Sequence, residues 1–306
     1  MRLGINGTGL VQRADVERVC AHAAAAAADG FSSYWLAEHP TGGFDALTVL
    51  AAVGQRVPDI ELGTAIVPTF PRHPLVLAGQ ALTTAGIIGP RLTLGIGLSH
   101  EPMMAQLGIG FDKPIRHLRE YLSILAPLVR EGRVDYHGET LTAHAELFRV
   151  PEHPIPVVVA ALGPQALGVA GRLADGTTLA WVGPKTVREH IVPRLSESAS
   201  KADRPEPRVI ATLPVCVTDD GAAVRAAIGD GLKMYGQLPS YRAMFDREGV
   251  DGPADVAIVG SAEAVRDGIA EMRAAGVTDF AASEFYLNPT ERDATRNLLK
   301  SLASGF

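Results

Sequence analysis

Three histidines stand on three polar turns of this chain. His39 sits in Glu38-His39-Pro40, His73 in Arg72-His73-Pro74 and His100 in Ser99-His100-Glu101. Imidazole titrates near neutral pH, so such turns could exchange protons in a reaction. Glu38 beside His39, and Glu101 beside His100, add carboxylates. Two glycine-bearing turns add an anion-binding chemistry. Gly95-Ile96-Gly97-Leu98-Ser99-His100 begins like a dinucleotide fingerprint but lacks its last glycine or alanine. Glycines there also let a flat ligand approach a strand. Ala160-Ala161-Leu162-Gly163-Pro164 runs from an apolar stretch into a helix with proline in its first turn. The free amides of Ala161, Leu162 and Gly163 would then point at an anion, aided by the helix dipole. An ordinary strand-to-helix turn has the same pattern. A zinc site is disfavoured, because no HExxH or paired-histidine helix spacing occurs. A serine nucleophile is disfavoured too, since Ser99 lies in Gly-Leu-Ser-His-Glu rather than GxSxG.

Composition bounds the partners. The chain has 306 residues, 47% hydrophobic, with a formal net charge of -6. No global basic field draws it to nucleic acid. Cys20 and Cys216 have no CxxC spacing and read as buried small hydrophobes rather than a disulfide or zinc framework. No signal peptide is expected from MRLGINGTGL, and the alanine run 22–28 is too short to span a bilayer. A cytoplasmic protein acting on a small molecule, with no nucleic acid, metal or membrane partner, is the expectation.

Chemistry of this kind needs elements that gather it on one face. Strands are predicted at Arg2–Ile5, Ser33–Ala37, Glu61–Val67, Leu92–Leu98, Ile155–Ala160, Thr177–Val182, Arg208–Val217 and Asp279–Phe285. Helices are predicted at Arg13–Ala28, Ala46–Val57, Pro74–Gly86, Lys113–Arg130, Pro164–Ala174, Lys185–Ser200, from about Asp220, Ala262–Ala275 and Pro289–Leu302. Asp45 and Ser261 are expected N-caps. Asp29-Gly30 closes the first long helix. Val134–Leu141 reads as a hairpin turning at His-Gly, and 236–256 as an irregular lid or insertion. Eight strand–helix units over this length favour one closed (β/α)8 barrel spanning residues 1–306, with a doubly wound open sheet as runner-up. The strand ends would then collect Asn6, Thr8, Glu38, His39, Thr69, Arg72, His73, Ser99, His100, Glu101, Gly163, Trp181 and Glu284 on one rim.

The segments GFSSYWLAEHP, LGTAIVPTFPRHP, LGIGLSHEP, HLREYLSIL followed by YHGETL, and PVVVAALGPQALGVAGRLADG, in this order, resemble the luciferase-like monooxygenase superfamily. Within it they resemble the coenzyme F420-dependent oxidoreductases. The resemblance covers nearly the whole chain. Scarce lysine beside arginine and abundant alanine also look like a GC-rich actinobacterial genome. The resemblance implies a barrel holding coenzyme F420 at its C-terminal mouth, with FMN and a monooxygenase reaction as the alternative. A flavin-binding paralogue without catalysis is a third reading. The implied cofactor residues are Asn6, Glu38, His39, Ala65, Ile66, Gly95, Gly97, Ala160, Ala161, Leu162 and Gly163, with the phosphate on the turn at 161–163. A non-proline cis peptide under the ring is implied at Ala65–Ile66. His39, His100 and Glu38 are the implied catalytic residues, Thr8 and Trp181 line the substrate pocket, and Arg72 could meet the acidic tail. The family's sugar-phosphate dehydrogenases carry a glutamate after the strand-4 GxG. Leu98 stands there here, with His100 and Glu101 as the nearest replacements. Members are often dimers, so a homodimer is possible.

Overall fold

The structure is a computed structural model and describes residues 1–11, 14–149 and 151–305. The strands in chain order are β1 (Arg2–Asn6), β2 (Ser33–Ala37), β3 (Glu61–Ile66), β4 (Leu92–Ile96), β5 (Arg133–His137), β6 (Thr142–Glu146), β7 (Val157–Ala160), β8 (Gly176–Ala180), β9 (Arg208–Thr212), β10 (Pro214–Val217), β11 (Ile258–Gly260) and β12 (Asp279–Glu284). Eight of them run parallel in the order β1-β2-β3-β4-β7-β8-β9-β12, and β12 pairs back with β1 through Leu3↔Phe280 and Gly4↔Ala281. The sheet is therefore closed, and the open-sheet alternative falls.

Local signals built the elements much as expected. Asp45 accepts from the Thr48 amide at 2.7 Å, and Ser261 from that of Ala264 at 3.2 Å. Each supplies an acceptor for an otherwise unsatisfied helix N–H. The first long helix begins at Val16, capped by Asp15. The expected start at Arg13 lies outside the described residues. Gly30 closes this helix at a φ of 84°, a conformation glycine adopts without steric cost.

Three expectations change. The hairpin is longer than Val134–Leu141. β5 and β6 pair from Arg133↔Glu146 to His137↔Thr142, and Gly138–Leu141 form the turn. Glu120, only 1% exposed, reaches into that turn and accepts from the amides of Glu139, Thr140 and Leu141 and the Thr140 hydroxyl. The expected strand Arg208–Val217 is two strands, because Pro214 has no amide to continue the ladder. β9 stays in the barrel, while β10 pairs with the outer end of β12 and with β11. The stretch 236–256, expected to be irregular, holds the end of one helix, Lys233–Gln237, and the whole of another, Pro239–Glu248.

Trp35, 1% exposed, packs inside the barrel with Val158, Ile210 and Ala281. Below it Arg208 bridges Glu61 and Asp279. A groove of about 460 Å³ opens at this N-terminal end, lined by Glu61, Arg91, Thr93 and Arg208 among others. Their polar atoms already bond one another or nearby carbonyls, as suits the stabilising end of such a barrel. Both cysteines are buried and free. Among the described residues, no group of three His, Cys, Asp or Glu could hold a metal, and no helix is long and apolar enough to cross a membrane.

Candidate active site

The floor of the mouth comes from β3, β4 and β7. Leu36 pairs with Thr64 but Ala37 with Ile66, so Ala65 is the extra residue of a β-bulge. Bulges re-aim side chains beside functional sites. No peptide bond among the described residues is cis. The expected cis bond at Ala65–Ile66 is thus corrected to a trans bond, with the bulge taking up the displaced register. Beyond it the chain stays tied to β4, with the Val67 amide on the Gly95 carbonyl at 2.8 Å and that of Thr69 on Gly97 at 2.9 Å. The Thr64 hydroxyl bonds both polar groups of Gly95, at 2.9 Å to its oxygen and 2.7 Å from its nitrogen. A Cβ on Gly95 would stand 1.9 Å from the Thr64 carbonyl oxygen. The glycine answers to that close strand contact, not to a ligand. A Cβ on Gly97 would meet Ile66 at 2.6 Å and Ala160 at 3.0 Å. The structure therefore packs Ile66 and Ala160 around Gly97, which together form a platform on the inner wall.

The rim side chains divide into free and committed groups. Asn6 is pinned, donating to the Thr212 hydroxyl at 3.2 Å and accepting from the Thr8 amide at 3.0 Å. The Thr8 hydroxyl accepts from the Ala37 amide at 2.9 Å and so holds the end of β2. Glu38 is not free at the mouth. Arg72 donates to it and, at 2.7 Å, to Asp45, and Gln80 also donates to Asp45. Burial raises the Glu38 pKa, against the pull of Arg72. Arg72, between two carboxylates, is likewise unavailable for an acidic tail. His73 is a helix cap, with Nδ1 accepting from the Leu75 amide at 3.3 Å and Nε2 on the Thr142 carbonyl at 3.2 Å. Glu284 leaves the mouth for an outer network of Arg296 at 2.7 Å and His22 at 3.2 Å. Glu101 is exposed.

His39 and His100 remain outside any ion pair among the described residues; His39 Nδ1 lies 3.0 Å from the Thr41 hydroxyl, which leaves its Nε2 unbonded there. Burial lowers the pKa of His39; it also lowers that of His100, with the charge of His39 as a second cause. Both shifts favour the neutral form near neutral pH. Ser99, just before His100, has a φ of 63°, and Trp181, just after β8, one of 59°. Side-chain-bearing residues rarely adopt such angles, and they concentrate at functional sites.

The turn after β7 keeps its expected character. The amides of Ala161, Leu162 and Gly163 bond no other group among the described residues. Gly163 is the N-cap of the helix Pro164–Leu173, and a Cβ on it would meet nothing within 4 Å. His190 holds the turn by donating from Nε2 to the Leu162 carbonyl at 2.8 Å, its Nδ1 accepting from Arg194 at 3.2 Å. Three free N–H groups before a helix, with open space above, fit a phosphate.

Sequence reasoning missed the aromatic wall of the mouth. Tyr235, just before the stretch 236–256 expected to be irregular, and Tyr241, within it, stand over His100 and Trp181. Only the aromatic content around this stretch could have pointed to them. Glu248 anchors the second helix, accepting from the amides of Lys185 at 3.1 Å and Thr186 at 2.7 Å. Those amides open the helical run 184–200 just beyond Trp181. Missed as well is His117, whose Nε2 lies 3.1 Å from the hydroxyl of the expected rim residue Thr69, with Phe70 stacked on the imidazole at 4.0 Å. Burial lowers the His117 pKa to about 4.

Compared with known proteins, the chain matches the luciferase-like monooxygenase family over residues 3–279. It is 33% identical over 189 residues to an F420-dependent glucose-6-phosphate dehydrogenase of Microbacterium testaceum, covering 57% of this chain and 56% of that one. The same-named protein of Mycolicibacterium smegmatis is 35% identical over 167 residues, covering 52% and 49%. The chain spans about half the length of the curated relatives it matches. Among solved structures, it resembles the coenzyme F420-dependent tetrahydromethanopterin reductase of Methanopyrus kandleri (TM-score 0.81, 22% identity, 98% of this chain and 97% of that one). It also resembles an F420-dependent secondary alcohol dehydrogenase (TM-score 0.80, 18% identity, 97% of each). At these identities the structural likeness is one of fold.

Proposed function

Because the chain belongs to the luciferase-like monooxygenase family, we propose that it is a coenzyme F420-dependent oxidoreductase moving a hydride between carbon 5 of the deazaflavin and a small organic substrate. One observation carries this reading. The free amides at 161–163, the platform of Ile66, Gly97 and Ala160, and the neutral pair His39 and His100 all lie on the same rim. When bound, the deazaflavin supplies a two-electron hydride acceptor or donor. The chain's own residues do the rest. The 161–163 amides hold the phosphate, and the platform gives a flat ring room. His39 and His100 manage the substrate proton. As neutral imidazoles they suit accepting a proton from an alcohol whose carbon gives up hydride. In carbonyl reduction the imidazolium returns that proton to the oxygen. Glu38, Asp45 and Arg72 fix the backbone from which His39 projects. Holding substrate carbon and ring about 3–3.5 Å apart would provide a near-attack geometry.

The test is titration of the purified protein with coenzyme F420 and with FMN, following fluorescence. Saturable F420 binding is expected, and His39→Ala should leave it intact while lowering turnover. Tight FMN binding without an F420 response would overturn the reading in favour of a flavin monooxygenase.

A further inference from the structure

Four rings from four separate elements face one another over the mouth. Ring centre to ring centre, His100 stands 5.6 Å from Tyr241 and 6.5 Å from Tyr235. Trp181 lies 5.9 Å from Tyr235, and the two tyrosines meet edge to face at 5.4 Å. Neither phenol hydroxyl has a hydrogen-bond partner among the described residues. Burial raises both phenol pKa values, so both stay protonated and able to donate. Three of the charged groups on the surrounding elements are committed to the protein itself. Arg72 lies between Glu38 and Asp45. Arg242 is held by Asp246 and the carbonyls of Val250 and Asp251. Glu248 caps the 184–200 run. Leu98, partly buried, takes the position before the strained Ser99.

We infer that His100, Trp181, Tyr235 and Tyr241 form a substrate cage for an uncharged, planar carbonyl compound or its alcohol, with the substrate oxygen accepting from Tyr235 or Tyr241. The inference rests on the hydride-transfer reading above and deepens it. Aromatic walls stack on flat apolar groups. A phosphate or carboxylate entering this cage would lose water against ring walls that carry no fixed positive charge, which disfavours it. Two unpartnered donors instead select for a neutral acceptor, since a site built to bond an oxygen penalises ligands that leave it unpaired. The cage thus departs from a sugar-phosphate site, even though the relatives in sequence are named for one.

A matched pair of probes tests it. Acetophenone and 4-acetylbenzoate share ring and ketone and differ by one carboxylate; glucose 6-phosphate is the third ligand. Binding is measured by calorimetry and saturation-transfer NMR on the protein with and without F420. Acetophenone is expected to bind at least tenfold tighter than either anion. Tyr235→Phe or Tyr241→Phe should weaken it roughly threefold to tenfold, the worth of one neutral hydrogen bond, with F420 affinity unchanged. Anions binding as well as acetophenone, or both Phe variants retaining full affinity, would overturn the cage. Absence of F420 binding would instead overturn the cofactor reading, because the probe selectivity is read on the cofactor-free protein as well.

Discussion

Glu120→Gln should destabilise the protein by about 2–3 kcal/mol at pH 7, and by progressively less in acid. The Glu120 carboxylate accepts four hydrogen bonds at the hairpin turn: from the Glu139 amide at 3.0 Å, the Thr140 amide and hydroxyl at 2.7 Å each, and the Leu141 amide at 2.9 Å. Burial opposes its ionisation, but these donors win and bring the pKa down to about 2. In the unfolded chain a glutamate titrates near ~4.3. A difference of about two units, at ~1.36 kcal/mol per unit, gives a contribution on the order of 3 kcal/mol. The folded pKa lies below the unfolded one. The contribution is therefore fully present above about pH 4.5 and is lost as the pH falls towards about 2. Glutamine keeps the shape and one acceptor, but its NH2 must face a backbone N–H, so most of the gain disappears. The assay is urea unfolding of both proteins from pH 8 to pH 3, followed by tryptophan fluorescence. The gap should be flat down to about pH 5.5 and then narrow by at most ~1.4 kcal/mol per pH unit. A gap that persists unchanged at pH 3, or no gap at pH 7, would refute the reasoning.

Four further outcomes follow from the site. His39→Ala and His100→Ala should each lower kcat by roughly 10²–10⁴ while leaving F420 affinity within about threefold, measured by fluorescence titration and steady-state kinetics. Both imidazole pKa values are lowered, so alcohol oxidation should be flat near neutrality and fall only at a pH below 6.5, the pH–rate profile supplying the check. Gly95→Ala should cost more than about 4 kcal/mol or prevent folding, because its Cβ would sit 1.9 Å from a backbone oxygen that cannot move aside; soluble yield and melting temperature report it. Glu248→Gln should weaken the cap on Thr186 by about 1 kcal/mol and raise hydrogen exchange across 233–248, with little change elsewhere.

The repeating elements were legible because their causes are local. Asp45, Ser261 and Gly30 act within one turn of their helices, and strand and helix periods read directly from neighbouring residues. Eight such units left few ways to bury their apolar faces, so the closed barrel was readable as well. The turn at Ala161–Gly163 was legible for the same reason: strand, short turn and Pro164 are contiguous. Where Pro214 and the Ala65 bulge broke a ladder, one residue changed the pairing and the expected strand or bond gave way.

What the sequence determined by itself was the run of strands and helices and the turns that follow each strand. Only the tertiary structure decided which side chains on those turns are free at the mouth. Arg72 removes Glu38 from the mouth across 34 residues of chain, and Arg296 and His22 draw Glu284 outward, His22 across 262 residues. Tyr235 and Tyr241 reach His100 from more than a hundred residues away. An ion pair or ring contact depends on where barrel closure places two side chains, and spacing along the chain carries no record of that distance. His39 and His100 stand out because, among the described residues, no ion pair claims them.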